Sequence, residues 1–242
     1  MQSSGFDEKI LSIDIGGSRI KATILDLDGN MLMDFQKIDT PASPAPGNVI
    51  QAILALTKDF QTYHRVSVGF PGYTRSGIIH TAPNLGSEKW EGVNLCKMLS
   101  EALSKPVRVL NDADMHGLGI VKGSGLEMVL TLGTGFGTAL FYEGSLLPHL
   151  ELAHHPFSKD RTYDDYLGER ALIEVGLEKW NKRLKKILPV LKTVFNYDHL
   201  FIGGGNSKKI SFETGDMITR VSNLDGIKGG AKVWQREMLY AL

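Results

Sequence analysis

The sequence predicts an α/β protein of two similar lobes, residues 1–112 and 113–242, with a cleft between them. Three observations support that fold class. A strand–glycine–strand pattern appears at residues 11–30 and again at residues 130–145, about half a chain length later. Amphipathic helical stretches and further strands follow each pattern. The 242 residues are enough for two ordinary domains with apolar cores.

The two glycine patterns align without a gap from Ile15 and Leu132 onward, at a constant offset of 117 residues (132 minus 15). In this alignment Lys21 lies opposite Thr138. A repeated unit at the head of each half favours an internal duplication, so the protein would contain two related lobes. Two unrelated glycine hairpins in one chain are the alternative interpretation.

The other elements follow from local patterns along the chain. Asn48 is a candidate N-cap for a helix over 49–61, at the end of a Pro-rich loop. Apolar runs predict buried strands, and 3.6-residue periodicity predicts helices. In chain order, these are a strand at 65–70, an irregular polar segment at 81–94, a helix at 95–103, a strand at 107–114, a small helix at 115–123, helices over 163–195, a strand at 199–203 and a closing helix at 226–242.

The composition excludes several classes of protein. Lys and Arg number 27, as do Asp and Glu, so no overall charge favours nucleic acid or a membrane surface. Cys96 is the only cysteine, which excludes a disulfide framework and a cysteine-built metal site. No signal sequence and no apolar run of about 18 residues is apparent. We therefore expect a cytoplasmic protein.

The glycines at the two hairpin tips are typical of phosphate-binding turns. Glycine allows positive φ angles and leaves space, so backbone N–H groups can face an anion. Hydroxyl and ammonium groups nearby add donors, and ordinary tight turns are the alternative. The candidate phosphate-binding residues are Gly16, Gly17, Ser18 and Lys21 in the first tip, and Gly133, Thr134 and Gly135 in the second.

Two further features suit a phosphate site. Asp14 precedes the first tip and could hold Mg²⁺ through water, because Mg²⁺ gives up its hydration shell reluctantly. The alternative interpretation is that Asp14 is simply a solvated residue of the strand. Gly203, Gly204 and Gly205 follow a buried strand and would open a helix, whose N-terminus attracts a nucleotide phosphate. The dinucleotide fingerprint G-x-G-x-x-G is absent from this segment, and a plain strand-to-helix turn is the alternative.

Asn111 and Asp112 directly follow an apolar strand, at the position where cleft residues belong. A carboxylate there can accept the proton of a sugar hydroxyl that attacks a phosphoryl group, so Asp112 is the candidate catalytic base. Asn111 could hold a neighbouring hydroxyl. Asp114 is a rival base, but at two positions further on we expect it to face elsewhere. A helix cap is the structural alternative for Asn111 and Asp112.

Glu151 and His154 are three residues apart and could share a face that binds sugar hydroxyls. A structural pair and half of a metal site are the alternatives. In the helix over 163–195, the apolar face is predicted to contain Trp180, Leu184, Ile187 and Leu191. The opposite face would be a basic stripe of Lys179, Lys182, Arg183 and Lys186, either solvated or bound to a polyanion such as a long phosphate chain.

Taken together, these motifs resemble the ROK family (repressors, open reading frames, kinases) and most of all its polyphosphate/ATP glucokinase branch. The similarity runs from about Ile10 to the closing helix. The motifs that carry it are DIGGSRIK, GFPG, NDADMHGLG, LTLGTGFGTAL, ELAHH and FIGGGNSKK. The resemblance implies an actin-like, hexokinase-type ATPase fold. It also implies Mg²⁺-dependent transfer of a terminal phosphoryl group from polyphosphate or ATP to the 6-hydroxyl of glucose, and a possible homodimer.

The resemblance also assigns roles to residues. Asp112 matches the catalytic base. Asn84, Asn111, Glu151 and His154 match sugar contacts, the two glycine tips match the phosphate loops, and Gly203 to Gly205 match the nucleotide-side turn.

The sequence departs from the family pattern in ways that restrict the expected metal and the expected kind of family member. The cysteines of the family zinc motif are missing, so no zinc is expected, and Ala153 stands where the family prefers glycine. No helix-turn-helix precedes Ile10, which disfavours the repressors. An ATP-dependent kinase of another sugar, such as N-acetylmannosamine or fructose, and a non-catalytic sugar-binding regulator remain as alternatives.

Overall fold

The computed structural model describes residues 8–60 and 62–235, apart from the side chain of residue 223. Contacts divide the chain into two compact units. The first unit contains the described residues up to Gly119 and those from Ile227 onward, and the second contains Ile120–Gly226. Among the described residues, no helix has both the length and the apolar character that crossing a membrane requires.

The first unit is a five-stranded sheet with helices. Its elements are β1 (Ile10–Ile15), β2 (Arg19–Leu25), β3 (Gln36–Asp39), α1 (Pro46–Thr57), β4 (Arg65–Phe70), β5 (Thr74–Arg75), β6 (Ile78–Ile79), α2 (Ser87–Trp90), α3 (Leu95–Leu103), β7 (Val107–Asn111) and α4 (Asp112–Ile120). The strand order is β3-β2-β1-β4-β7, while β5 and β6 form a separate ribbon.

The second unit is built around another five-stranded sheet. Its elements are β8 (Leu126–Leu132), β9 (Phe136–Tyr142), β10 (Ser145–Leu146), a 3-10 turn (Leu152–His154), β11 (Pro156–Ser158), β12 (Arg161–Thr162), α5 (Tyr163–Leu167), α6 (Glu169–Phe195), β13 (His199–Gly203), a second 3-10 turn (Ser207–Lys209) and β14 (Ile218–Arg220). Two helices follow, α7 (Asn223–Ile227) and α8 (Gly229–Lys232). The strand order is β10-β9-β8-β13-β14.

The two sheets have the same topology. In each, an antiparallel meander of three strands is followed by two parallel strands, so β1 corresponds to β8 and β4 to β13. The predicted class, an α/β protein with two similar units, is therefore confirmed.

The ungapped alignment of the two hairpins is wrong by one residue beyond the tip. In the first hairpin Ile15 pairs with Ile20, but in the second Leu132 pairs with Phe136. The second turn is thus one residue shorter. Strand register places Lys21 at the position of Gly137, not of Thr138. Relative to the ungapped alignment, a turn that is one residue shorter moves every following residue to the opposite face of the sheet. The sequence alone does not show this change of register.

Each unit has its own apolar core. In the first unit, Phe70 and Trp90 lie at the centre with their ring centroids 4.9 Å apart. The second core contains the predicted apolar face of α6, and the indole N–H of Trp180 donates to the Leu167 carbonyl at 2.8 Å. Trp180, Leu184, Ile187 and Leu191 are all fully buried, as predicted.

The segment after α7 belongs to the first unit, whereas the sequence assigned everything after residue 112 to the second lobe. The hydroxyl of Ser67 in β4 donates to the Gly230 carbonyl at 2.5 Å, and the Trp234 indole N–H donates to the same hydroxyl at 2.9 Å. Of the predicted closing helix, the structure describes α7 and α8, and residues 236–242 lie outside the described part.

Some predicted element boundaries are wrong. Helix α1 begins at Pro46 after Ala45, so Asn48 lies inside it and donates to the Ser43 carbonyl at 2.9 Å instead of capping the helix. Proline is well suited to the first helical position, where no N–H is needed. Helix α4 begins at Asp112, not at residue 115. The helix expected after the three glycines is only a 3-10 turn, so it has no appreciable helix dipole.

Candidate active site

The first glycine turn is held by hydrogen bonds within the first unit. The Gly16 N–H donates to the Arg19 carbonyl at 2.9 Å, so that N–H is not aimed at a ligand. Thr40 clamps the turn, because its hydroxyl donates to the Gly16 carbonyl at 2.7 Å and its N–H donates to the Ser18 carbonyl at 3.0 Å. Neither Gly16 nor Gly17 has a positive φ, so that part of the prediction is wrong.

Close approach explains the glycine at position 17. A Cβ on Gly17 would lie 3.1 Å from the Cβ of Asn84, which is tighter than ordinary contact. The structure therefore brings Asn84, the predicted sugar contact, directly against the first glycine turn. Asn84 is exposed, in the loop before α2.

The carboxylate of Asp14 and the ammonium group of Lys21 form an ion pair, with Oδ2 and Nζ 3.1 Å apart. Both side chains are about two-fifths exposed, at 41% and 42%. A single accessible carboxylate beside the glycine turn is compatible with the predicted Mg²⁺ role, since Mg²⁺ typically uses one or two carboxylates, several waters and substrate phosphates. Lys21 contacts only Oδ2, so this pair does not engage Oδ1.

Asn111 and Asp112 lie at the junction of β7 and α4. The Asn111 side-chain oxygen accepts the N–H groups of Ala113 at 2.8 Å and Asp114 at 3.3 Å, and its amide donates to the Gly72 carbonyl at 3.2 Å. Asn111 is buried and thus caps α4 while holding the turn after β4. The observed contacts of Asn111 are those of a helix cap, which was the structural alternative for this residue.

Asp112 is partly exposed, whereas Asp114 is buried, so the two carboxylates differ as predicted. One carboxylate oxygen of Asp112 accepts the Ala113 N–H at 2.8 Å. Gly69 packs against the start of α4: a Cβ there would lie 2.9 Å from the Cε of Met115 and 3.4 Å, an ordinary contact, from the Asp112 Cα. Of the two acidic side chains on α4, Asp112 is therefore the one that a substrate can reach.

The second glycine turn depends on a residue that the sequence reasoning missed. Asp164, in the first turn of α5, accepts the Phe136 N–H at 2.8 Å through Oδ1. The same oxygen lies 2.6 Å from where a Cβ on Gly135 would stand, so a larger residue there would displace the Asp164 carboxylate. The Gly133 N–H donates to the Gly135 carbonyl at 3.1 Å, and neither glycine has a positive φ. A carboxylate 28 residues away thus fixes this turn.

Burial raises the pKa of Asp164, and the neighbouring carboxylates of Asp165 and Glu151 act in the same direction. The Phe136 N–H and the charge of His154 lower this pKa, but they do not outweigh burial. Asp164 therefore lies close enough to Glu151 and His154 to sense their charges. The only local signal for it was the acidic pair in TYDDYLG, which also suits a helix N-terminus.

Glu151 and His154 come together, as their spacing predicted. Glu151 Oε2 lies 3.6 Å from His154 Nε2, across the first 3-10 turn. His149, a second residue that the sequence reasoning missed, lies with its Nε2 3.7 Å from Glu151 Oε1. The described residues contain no group of three or more His, Cys, Asp or Glu side chains suited to a metal ion. The alternative interpretation of this pair as half of a metal site therefore gains no support from the described residues.

The structure joins the third glycine segment to the second glycine turn. The Asn206 N–H donates to the Leu132 carbonyl at 2.9 Å, and its side-chain amide donates to the Gly133 carbonyl at 3.2 Å. Gly204 has a positive φ of +86°, and its Cα packs directly against Leu132. Two segments that the sequence linked separately to the phosphoryl donor are thus neighbours in the second unit.

The basic stripe on α6 differs from the prediction at one residue. Arg183 is buried, donates to the Tyr166 carbonyl at 3.1 Å and stacks on the Tyr166 ring at 4.4 Å. Its guanidinium is therefore a packing group, and assigning it to an exposed stripe is wrong. Lys179, Lys182 and Lys186 are exposed, as predicted.

Comparison with known proteins gives a consistent result. The model of the ROK family matches residues 10–149. The polyphosphate glucokinase of Mycobacterium leprae (strain TN) is 32% identical over 235 residues, which cover 90% of this chain and 72% of that protein.

Two solved structures have a closely similar fold. The crystal structure of inorganic polyphosphate/ATP-glucomannokinase from Arthrobacter sp. strain KM has a TM-score of 0.85 at 27% identity, covering 95% of this chain and 100% of that chain. A ROK family glucokinase from Streptomyces griseus, in complex with glucose and AMPPNP, has a TM-score of 0.80 at 18% identity, with coverage of 95% and 100%. At that identity the second likeness shows the fold alone, and the predicted actin-like, hexokinase-type fold is confirmed.

Proposed function

The chain belongs to the ROK family, and on that basis we propose that it is a sugar kinase, a phosphotransferase with an alcohol acceptor. It transfers the terminal phosphoryl group of polyphosphate or ATP to the 6-hydroxyl of glucose. The observation that carries this proposal is the accessible carboxylate of Asp112 at the end of β7, in a chain similar over 90% of its length to a polyphosphate glucokinase. In such a transfer the protein contributes mainly positioning and neutralisation of charge.

Asp112 is the proposed general base. Its carboxylate accepts the proton of the 6-hydroxyl as that oxygen attacks the terminal phosphorus, and the bond from phosphorus to the donor's bridging oxygen breaks. The products are glucose 6-phosphate and either ADP or a polyphosphate shortened by one phosphate. Asn111 fixes the start of α4 and so fixes the Asp112 backbone. Asp112 therefore needs little reorganisation before the reaction.

We propose a sugar contact in each unit, taken separately. Glu151 accepts hydroxyl hydrogen bonds, and His154 is a second sugar contact. The Nε2 atoms of His154 and His149 lie 3.6 Å and 3.7 Å from the two carboxylate oxygens of Glu151. Asn84, which packs against the first glycine turn, is the proposed sugar contact on the first unit. A site that holds several hydroxyls by charged or polar groups rejects sugars that lack them, because those groups would lose their partners.

Donor binding is assigned to the glycine turns. The proposed donor residues are Gly16 to Ser18 and Lys21 in the first unit, and Gly133 to Gly135 with Gly203 to Gly205 in the second. The Asn206 bridge keeps the two segments of the second unit together. Mg²⁺, which Asp14 would hold through water, supplies neutralisation of the donor's phosphate charge when bound. Lys21 holds the Asp14 carboxylate in place and carries a positive charge of its own.

One assay tests the function directly. Purified protein is incubated with glucose and Mg²⁺ and with either polyphosphate or ATP, and glucose 6-phosphate is measured by its coupled oxidation. We expect product with at least one donor. Heat-shift binding of glucose with no product from either donor would favour the sugar-binding regulator instead, and a better rate with N-acetylmannosamine or fructose would change the assigned sugar. The cytoplasmic location and the homodimer stay predictions, which cell fractionation and light scattering test.

A further inference from the structure

A chain of contacts leads from the second glycine turn to helix α6. Asn206 binds Gly133, and the 3-10 turn Ser207–Lys209 follows it directly. At the end of that turn, the Lys209 carbonyl accepts the side-chain amide of Asn181 at 3.1 Å. The side-chain oxygen of Asn181 in turn accepts the Ser211 N–H at 2.9 Å. The second glycine turn and the middle of α6 are therefore joined by hydrogen bonds within the second unit, through the buried side chains of Asn181 and Asn206.

Exposed lysines are close in sequence or helical spacing to the residues that make these hydrogen bonds. Lys208 is three residues after Gly205, so its Cα lies at most about 11 Å from that glycine. On α6, Lys182 is the residue after Asn181, and Lys185 lies about one helical turn beyond Asn181 on the same face. We call this set the lysine surface, and its members, all exposed, are Lys182, Lys185, Lys208 and Lys209.

The lysine surface is not the same set of residues as the basic stripe predicted from helical periodicity. Arg183 is buried, while Lys185, which the predicted stripe omitted, is exposed and lies four residues after Asn181 in α6. Lys179 and Lys186 are also exposed, but they lie further round the helix from Asn181. Glu178 is paired with Lys182 at 2.7 Å and so offsets part of the positive charge. In a chain with equal numbers of acidic and basic residues, this is a local excess of cations.

We infer that the lysine surface binds the inner phosphates of long-chain inorganic polyphosphate whose terminal phosphates occupy the second glycine turn. The inference rests on the proposed function. A polyphosphate carries about one negative charge per phosphate at regular spacing, so each further phosphate meets another ammonium group of the lysine surface. Lysine suits this role because it acts as a mobile point charge that needs no fixed donor geometry. ATP and tripolyphosphate are too short in phosphate to extend over all four lysines.

The test compares the wild type with the variant Lys185→Gln/Lys208→Gln/Lys209→Gln. The matched control removes three exposed lysines of the first unit, as Lys37→Gln/Lys58→Gln/Lys97→Gln. The KM values for long-chain polyphosphate, tripolyphosphate and ATP are measured at several salt concentrations. We expect the KM for long-chain polyphosphate to rise about tenfold in the first variant, with a shallower salt dependence, because each exposed ion pair contributes modestly. The KM values for the two short donors should change less than about twofold.

A second variant works in the opposite direction. Glu178→Gln releases Lys182 from its ion pair and removes one negative charge, so the KM for long-chain polyphosphate should fall about twofold. A purely structural role for these residues would not improve binding. The control variant should match the wild type with every donor.

Several results would overturn the inference. These are an unchanged KM for long-chain polyphosphate in the triple variant, an equal rise for all three donors, and equally strong competition by single-stranded DNA. A wild type that phosphorylates glucose with ATP but not with polyphosphate would also remove it, while leaving the sugar kinase intact. If no donor gives product, the proposed function fails, and calorimetric titration with long-chain polyphosphate still decides whether the surface binds it.

Discussion

Asp14 and Lys21 are direct cross-strand partners in the first hairpin, with Oδ2 and Nζ 3.1 Å apart. From the sequence, Asp14 is predicted to hold Mg²⁺ through water and Lys21 to provide a cation for phosphate, as two separate roles. Replacing either residue therefore removes the ion-pair partner of the other. The equivalent strand positions of the second hairpin are Thr131 and Gly137, so only the first hairpin has this ion pair.

Breaking the pair should affect catalysis more than stability. We expect Asp14→Asn to lower kcat by about tenfold or more and to raise the Mg²⁺ concentration needed for half-maximal rate. Its free energy of unfolding should change by less than about 1 kcal/mol, because the pair is exposed. Rate measurements over a Mg²⁺ series and urea unfolding check both. Arg19→Gln, which breaks the exposed 3.7 Å pair with Asp39 in the same unit, is the control and should leave the Mg²⁺ dependence unchanged.

Asp112→Asn should remove the base and keep the fold. The asparagine oxygen can still accept the Ala113 N–H, so the start of α4 is preserved. We expect kcat to fall by about 10²–10⁴-fold while glucose still binds, as measured by steady-state kinetics and calorimetry. Asp114→Asn is the comparison, because Asp114 is buried and its replacement should lower the melting temperature instead. Near-normal turnover in Asp112→Asn would show that the assigned base is wrong.

Glu151→Gln should weaken sugar binding specifically. A hydrogen bond to a charged group contributes about 1.5–3 kcal/mol, so we expect the KM for glucose to rise by roughly 10-fold to 100-fold. The KM for the phosphoryl donor should change little. His155→Gln is the matched control, because His155 is exposed and its ring lies 6.2 Å from that of Tyr163. Equal effects of the two substitutions on glucose would contradict the assignment.

The raised pKa of Asp164 predicts a pH-dependent stability. The folded state binds this proton more tightly than the unfolded chain, whose ordinary value is 3.8. The resulting stabilisation is present below pH 3.8 and is lost as the pH rises through the folded-state pKa. Asp164→Asn keeps an oxygen for the Phe136 N–H but does not titrate. The variant should therefore gain stability relative to the wild type as the pH rises above 3.8, measured by urea unfolding at a series of pH values. A constant difference at every pH would exclude this role for the carboxylate.

Gly204 and Gly205 provide a matched pair of substitutions. A Cβ on Gly204 would lie 2.3 Å from the Leu132 carbonyl oxygen, in a backbone with φ of +86°, whereas a Cβ on Gly205 meets nothing within 4 Å. We expect Gly204→Ala to lower the free energy of unfolding by more than about 2 kcal/mol and Gly205→Ala to change it by less than about 1 kcal/mol. Similar stabilities in urea would show that the two segments can separate at little cost.

Much of the fold could be predicted because its signals are local. The strand β1 and the helix α3 follow from alternation and from 3.6-residue periodicity, which depend only on neighbours in the chain. The contact of Glu151 with His154 is similarly local. By contrast, the role of Asp164 depends on Phe136, and the fit of Gly204 depends on Leu132. Such partners become neighbours only after the sheet has formed.

The sequence by itself determined the repeated glycine hairpins, the two-unit α/β class, the family and the candidate base Asp112, because each is recorded in residue order or spacing. Only the tertiary structure decided that the second turn is one residue shorter, that Arg183 is buried, and that Asp14 is paired with Lys21. Strand register and side-chain burial depend on contacts between distant segments. Sequence patterns constrain which face a residue can occupy, but packing selects the partner it meets there.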